Sequence, residues 1–360
     1  MTAPQKVNTP IRVGVVGMGG IGKTHATSHK QDPLAKLAAV CDVNLQAAQQ
    51  VAARFGIPRA YGSVAEALAA EKPQLVDICT PPATHVKLAI EAMKSGGHVL
   101  IEKPMALTAA DCDLVVQAAR EYRVKVCVGH SDLFYRPFMK ARELVAQGAV
   151  GKFRGMRIFL STPTDYMTSR PDHWANKLPG GVIGESGPHV VYMTLAFINP
   201  IQNVTVDAVK QMPEYPWSPF EDYRINLVGE QGASSIVLCY TTNQWAAKIE
   251  LLGDKGFLHL DLESMTLLRY WRPELKALPV GLGVLSESAQ LLGNFISNVA
   301  RYATRRVYST HDIIISRFAD SIIHGTEPPV TAEEGREAVR VLNLIVEKLE
   351  NKATPAAVVR

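Results

Sequence analysis

Four short stretches combine residue types and spacings that can do chemistry. The first is Gly180-Gly181-Val182-Ile183-Gly184-Glu185-Ser186-Gly187-Pro188-His189, which sets a carboxylate four residues before an imidazole. If a helix begins near Ser186, Glu185 lies at its mouth and His189 one turn in, on about the same face. The acid can then orient the ring and support its charged form, which suits proton transfer. The second is Glu102-Lys103-Pro104, directly after the apolar run His98 to Ile101. The Lys103 ammonium can hydrogen-bond a substrate hydroxyl and stabilise an alkoxide, while Glu102 can hold a cofactor or Lys103 itself. The third is Thr80-Pro81-Pro82-Ala83-Thr84-His85, after a strand whose carboxyl end faces the ligand, where two prolines fix the chain as it passes the cofactor and Thr80, Pro81, Pro82 and His85 are candidate cofactor contacts. Each also fits a plainer role: a buried histidine donating to a carbonyl, a surface ion pair closing a strand, or a loop with proline at a helix start.

The fourth stretch is the most specific. Val13 to Gly22 reads as an apolar strand running into G-x-G-x-x-G at Gly17, Gly19 and Gly22, and Asp42 stands twenty residues past the last glycine. Gly17 allows a tight turn, Gly19 clears the backbone for a pyrophosphate, and Gly22 lets a helix pack close to the strand. The N–H groups of that helix, from Gly20 and Ile21 onward, face the phosphates. Asp42 closes the next apolar strand, where it can accept from the adenosine ribose hydroxyls. A dinucleotide site follows. NAD is preferred, because Asp42 repels a 2′-phosphate and Val43 to Gln46 offer no Arg or Lys. NADP stays possible through Lys23 or Arg54.

The elements that must position these groups change rhythm once. Strands read at 12–17, 37–42, 75–79, 98–101 and 124–129 alternate with helices at 20–31, 44–55, 63–71, 83–95 and 108–122. Alternation at this spacing means an α/β domain with a doubly wound parallel sheet. After Gly129 a helix at 136–147 leads to strands at 153–161, 203–212, 222–229, 234–241, 246–252, 256–260 and 265–271. A helical stretch at 186–198 interrupts them, and helices follow at 285–303, 311–324 and 332–351. The short connections predict an α+β domain with an open, largely antiparallel sheet. The domains are therefore 11–130 and 131–360, after an arm at 1–10, with the last helices free to pack back on the first domain. Between them in purpose lies the irregular stretch Thr162 to Gly184, rich in Pro, Gly and aromatic residues, with Trp174 as a substrate-contact candidate.

Bulk composition excludes several classes. The chain has 360 residues, a net charge of +4 and no long basic block, so nucleic acid is not a partner. The cluster Arg301, Arg305, Arg306 reads as a solvated helix face. No apolar run approaches a membrane span, and the N-terminus lacks a signal-peptide core, which predicts a cytoplasmic protein. Five cysteines without C-x-x-C spacing give neither a disulfide framework nor a metal site; Cys41, Cys79 and Cys127 read as small core residues. The strand Ser234 to Tyr240 carries apolar residues on both faces, which predicts a homodimer or homotetramer through the open sheet face.

The ordered set of G-x-G-x-x-G, Cys41-Asp42, Thr80 to His85, Glu102-Lys103-Pro104 and Gly180-Gly181 leading to His189 resembles the glucose–fructose oxidoreductase / inositol dehydrogenase / rhizopine-catabolism (Gfo/Idh/MocA) family. The likeness runs from about Ile11 to Leu349 and includes Arg136-Pro137 and Gly148-Ala149-Val150-Gly151. It implies a Rossmann domain, NAD(H) or NADP(H), and a polyhydroxylated sugar or cyclitol as substrate. It implies that Lys103 and His189 share the hydroxyl proton while hydride passes to the nicotinamide. His189 maps on the family's histidine. The acid four residues before it is commonly Asp, and here it is Glu185; three residues after it Asp is frequent, and here stands Tyr192, a substrate-side or supporting candidate. The alternatives are a dinucleotide-binding regulator without catalysis, against which intact Lys103 and His189 speak, and an oxidoreductase of a non-sugar substrate.

Overall fold

The computed structural model describes residues 10–304 and 308–353. Nearly all of the arm expected at 1–10, and Arg305 and Arg306, lie outside them. The chain divides into two units, one of residues up to Ser131 with Tyr308–Arg340, the other of Asp132–Val307 with the residues from Val341 on.

The first unit opens with β1 (Ile11–Val16), α1 (Gly20–Gln31), β2 (Ala35–Cys41), α2 (Leu45–Phe55), β3 (Arg59–Tyr61), α3 (Val64–Glu71), β4 (Leu75–Ile78), α4 (His85–Lys94), β5 (His98–Ile101), α5 (Ala109–Tyr122) and β6 (Val126–Val128). Their strands form one parallel sheet in the order β3-β2-β1-β4-β5-β6. The order reverses between β1 and β4, which is where doubly wound sheets bind their ligands. β1, β4 and β5 are buried on both faces, as continuous apolar runs require. Caps set the helix starts: Asn44 accepts from the Ala47 N–H at 3.2 Å, and Thr108 from the Asp111 N–H at 3.1 Å. The expected elements all form. The three-residue β3 was not anticipated, being too short to show a period.

The second unit contains α6 (Arg136–Ala146), β7 (Phe153–Ser161), α7 (Val182–Leu195), β8 (Ile201–Val209), β9 (Asp222–Gly229), β10 (Gly232–Cys239), β11 (Ala246–Gly253), β12 (Phe257–Asp261), β13 (Thr266–Tyr270) and α8 (Ala277–Ala303). Its seven strands run β13-β12-β11-β7-β10-β9-β8. All pairings are antiparallel except β7 with β10. After β7 the chain leaves through α7, re-enters at the far edge as β8, and works inward by hairpins until β10 meets β7 in parallel. α7 covers one sheet face: Thr194 Oγ1 donates to Ser234 Oγ at 3.1 Å, and Ser186 Oγ bonds the Tyr240 hydroxyl. Two helix starts lie earlier than expected, α7 at Val182 instead of 186 and α8 at Ala277 instead of 285. Gly184 in one, and Pro279, Gly281 and Gly283 in the other, read as breakers but are carried inside.

The outer face of β10 itself is only partly apolar. Ser234, Ile236 and Leu238 point to the core, leaving exposed Ser235 and half-buried Val237 outside. Around them the outer face is mixed: Ser235 Oγ donates to Asn226 Oδ1 at 2.8 Å and Glu250 faces Arg157 and His259 at 3.4 Å each, while Phe159, paired with Val237, and Val228 are each 39% exposed.

α9 (Thr310–His324) and the start of α10 (Ala332–Ala353) belong to the first unit. Ser28 Oγ donates to Asp312 Oδ1 at 2.6 Å, and the Val128 N–H to the Val330 carbonyl at 3.2 Å. The five cysteines are free and buried. Burial pushes the Cys41 and Cys112 thiols up to about 12, with nearby carboxylates adding to it. Among the described residues no helix is long and apolar enough to cross a membrane.

Candidate active site

The glycine loop between β1 and α1 has a shape that only its sequence permits. Gly17 has φ +93°, and a Cβ there would meet the Cys79 carbonyl carbon at 2.8 Å. A Cβ on Gly22 would fall 1.7 Å from the Gly17 carbonyl oxygen. Gly19 and Gly20 differ: a Cβ on either meets nothing within 4 Å, so the backbone there is open. Gly19 caps α1 without a side-chain bond, and the first turn carries no acid. The first N–H groups of the helix, with half-buried Ile21 among them, thus remain for an anion. Asp42 stands over this loop: its Oδ2 accepts from the Met18 N–H at 2.6 Å and its Oδ1 from the Asn44 N–H at 2.8 Å. A carboxylate has lone pairs left for ribose hydroxyls after two such bonds. The residues therefore fit a dinucleotide.

The loop after β4 places half-buried Thr80 and exposed Pro81 on the surface, with Pro82 buried. Thr84 Oγ1 donates to Thr80 Oγ1 at 2.7 Å. His85, expected to touch the cofactor, is fully buried. Its ring nitrogens lie 2.7 Å from the Thr80 carbonyl and 3.0 Å from the Pro104 carbonyl. It ties the loop after β4 to the loop after β5. Burial lowers its pKa against the pull of those carbonyls.

Glu102 likewise turns inward instead of toward a cofactor. It is 5% exposed, its Oε1 lies 3.1 Å from His25 Nε2, and its Oε2 accepts from the Lys103 N–H at 3.1 Å. His25 Nδ1 in turn bonds Asp77 at 2.9 Å, and His29 Nε2 bonds the same carboxylate at 2.8 Å. Burial by itself would lower the His25 pKa; the Asp77 charge and hydrogen bond outweigh it and raise it well above the usual histidine range. Asp77 is held low, because the two imidazoles overcome the opposing effect of burial. This buried chain anchors the backbone from which half-buried Lys103 projects. Neither histidine was anticipated. The signal was there: an acid inside the buried run Leu75 to Ile78 needs a partner, and His25 and His29 share one face of α1.

In the second unit His189 lies in α7, its side chain 18% exposed. Its Nδ1 is 2.7 Å from Asp132 Oδ2 and 2.7 Å from the Tyr192 hydroxyl. The Tyr192 hydroxyl also accepts from the Asp132 N–H at 3.2 Å. The carboxylate at Nδ1 is thus that of Asp132, a residue not anticipated, in the role expected of Glu185. Glu185 is half-buried one turn before His189, and its charge acts on His173 and Tyr240. Tyr192 is 2% exposed, so it supports the His189–Asp132 pair instead of meeting a substrate. The carboxylate missing from position 192 is supplied by the turn Ser131–Phe134. An N–H at Nδ1 directed to Asp132 leaves Nε2 as the acceptor, the form a general base needs. Trp174, 44% exposed, stacks on His173 with ring centroids 5.8 Å apart.

A glycine cradle at the switch point and a carboxylate-held histidine in a second unit define a dinucleotide-dependent oxidoreductase. The family model described as an oxidoreductase family with an NAD-binding Rossmann fold matches residues 11–130, and the Gfo/Idh/MocA C-terminal domain model matches 138–259. The chain belongs to the Gfo/Idh/MocA family, and its first domain is an NAD-binding domain. It is 24% identical to myo-inositol 2-dehydrogenase of Thermotoga maritima over 95% of this chain and 97% of that one. It is 37% identical to inositol 2-dehydrogenase of Rubrobacter xylanophilus over 40% of this chain and 43% of that one. The scyllo-inositol dehydrogenase of Lactobacillus casei, solved with NAD(H) and scyllo-inositol, shares the fold at TM-score 0.77 and 19% identity, covering 95% of this chain and 97% of that one.

Proposed function

We propose that the chain is an NAD(H)-dependent dehydrogenase of a cyclitol, sugar or related polyol. The observation that carries this is His189: with its side chain 18% exposed and Nδ1 occupied by Asp132 and Tyr192, it has Nε2 left for a hydroxyl. Its relatives named for inositol support the substrate class. Bound nicotinamide supplies the hydride acceptor. Lys103 contributes a positive charge that lowers the cost of an alkoxide, and His189 takes the hydroxyl proton as Asp132 steadies the resulting imidazolium. The phosphates would lie on the α1 N-terminus at Gly19 to Ile21, and the adenosine ribose on Asp42. Screening inositols, monosaccharides and sugar nucleotides for NADH formation tests the reading; turnover of none of them would defeat it.

Asp42 also sets the cofactor preference. A 2′-phosphate beside it would face a carboxylate already fixed by two N–H groups, and the neighbouring Val43 is 98% exposed and uncharged. NAD(H) is expected to bind at least about tenfold more tightly than NADP(H), a difference of about 1.4 kcal/mol. Titration with both cofactors checks this, and Asp42→Ala should narrow the gap.

A further inference from the structure

Helix α8 is built inside out. It is 27 residues long without one buried position. The side facing the edge strand β13 is polar. Gln290 accepts from the Arg269 N–H at 2.8 Å and donates to its carbonyl at 3.1 Å. Asn294 does the same at Leu267, at 3.4 and 3.1 Å, and Asn298 donates to the Ser264 carbonyl at 3.0 Å. Glu287 pairs with Arg272 at 3.1 Å. These side chains satisfy the open edge of the sheet, a place that otherwise invites uncontrolled pairing. The apolar side is turned away: Leu278, Leu282, Leu285, Leu292, Ile296 and Val299 are 51% to 73% exposed.

The spacing of that side is more regular than a solvent-facing helix needs. With Ala289 and Ala303 the series 278, 282, 285, 289, 292, 296, 299, 303 advances by alternating steps of four and three throughout. That is the heptad seam of a coiled coil. Phe295 (62% exposed) and Tyr302 (80%) widen it. The helix carries only two charged residues, Glu287 and Arg301. An anionic membrane surface or a nucleic acid calls for a basic face, which α8 lacks.

We propose that α8 is a homodimerisation element, pairing with α8 of a second copy as an antiparallel coiled coil across a two-fold axis. Full overlap sets Ala289 against the partner's Leu292, Leu285 against the partner's Ile296, Leu282 against the partner's Val299 and Leu278 against the partner's Ala303. In this register each alanine meets a large side chain. A parallel pair would stack alanine on alanine and leave voids. One side of a helix about 40 Å long and about 11 Å wide offers on the order of 700 Å², close to the roughly 800 Å² per partner of a stable complex. This inference stands apart from the catalytic reading.

Light scattering on the full chain at micromolar concentration tests it. The wild type should have the mass of a dimer or an even multiple. Leu285→Glu with Leu292→Glu should halve that mass while circular dichroism and NAD(H) binding stay unchanged. In the otherwise native chain, whose own cysteines are buried, Ala289→Cys with Leu292→Cys should cross-link under mild oxidation and Leu292→Cys alone should not. A monomeric wild type, an unchanged mass in the glutamate variant, or efficient cross-linking of Leu292→Cys alone would overturn the proposal. So would a monomer that floats with phosphatidylcholine vesicles, since the seam would then meet lipid.

Discussion

Lys103→Ala is expected to lower kcat by on the order of 10² to 10⁴ with little change in NAD(H) affinity. Lys103 stands at the carboxyl end of β5, its N–H fixed by Glu102 at 3.1 Å. On the proposed reading, the substitution removes a proton-transfer partner and the charge that opposes a developing alkoxide. His189→Ala should cost somewhat less, still within the same range, because the cation at Lys103 survives. Asp132→Asn separates two accounts of His189. If Asp132 fixes the Nδ1 tautomer and supports the imidazolium, the amide should lower kcat more than Glu185→Gln does. If Glu185 were the orienting acid, the order would reverse. Steady-state kinetics with the substrate found by screening reads all four variants, and a near-normal kcat for His189→Ala would make it a packed structural residue.

Most of the scaffold was legible because its signals are local. The glycine spacing, the acid at Asp42 and the alternation of apolar strands with capped helices each follow from backbone sterics within a few residues. What escaped depends on distant pairing. Asp132 reaches His189 across 57 positions, and nothing in the turn at Ser131–Phe134 advertises that. His85 and Glu102 stand at strand ends where a cofactor contact is the natural reading, yet both turn inward to hold neighbouring loops. The parallel contact of β7 with β10 is invisible to hairpin rules, which treat only successive strands. α7 begins early because tertiary packing overrides Gly184, which a local rule treats as a stop, and α8 carries Pro279, Gly281 and Gly283 within its first two turns. The outer face of β10 shows the same limit: alternation predicts two faces, but only the register decides which of them is covered.

Asp77→Asn is expected to destabilise the first unit by roughly 3–5 kcal/mol, the cost of leaving a buried charge without its counter-ion. Asp77 is fully buried and holds both His25 and His29, so no water can take its place. The pH dependence should weaken as well. In the native protein the folded-state pKa of His25 is raised well above 6.5 by Asp77 in spite of burial. The folded chain then keeps a proton that the unfolded chain gives up. This stabilisation is complete below the unfolded pKa of about 6.5 and fades as pH rises, by up to about 1.4 kcal/mol per pH unit, until the folded pKa is passed. Asp77 works from the other end: its pKa is lowered, so its contribution is present above about 3.9 and is lost as pH falls further. With asparagine at 77 the main charge opposing burial is gone, and the carboxylate left beside His25 is that of Glu102, 3.1 Å from Nε2, so the folded chain should hold this proton less tightly. The stability that fades above about pH 6.5 in the native protein should therefore be smaller in the variant. Urea unfolding of both proteins between pH 5 and pH 9, followed in the presence and absence of NAD(H), checks the difference. Parallel pH profiles for the two would mean that the His25–Asp77 pair does not carry the charge assigned to it.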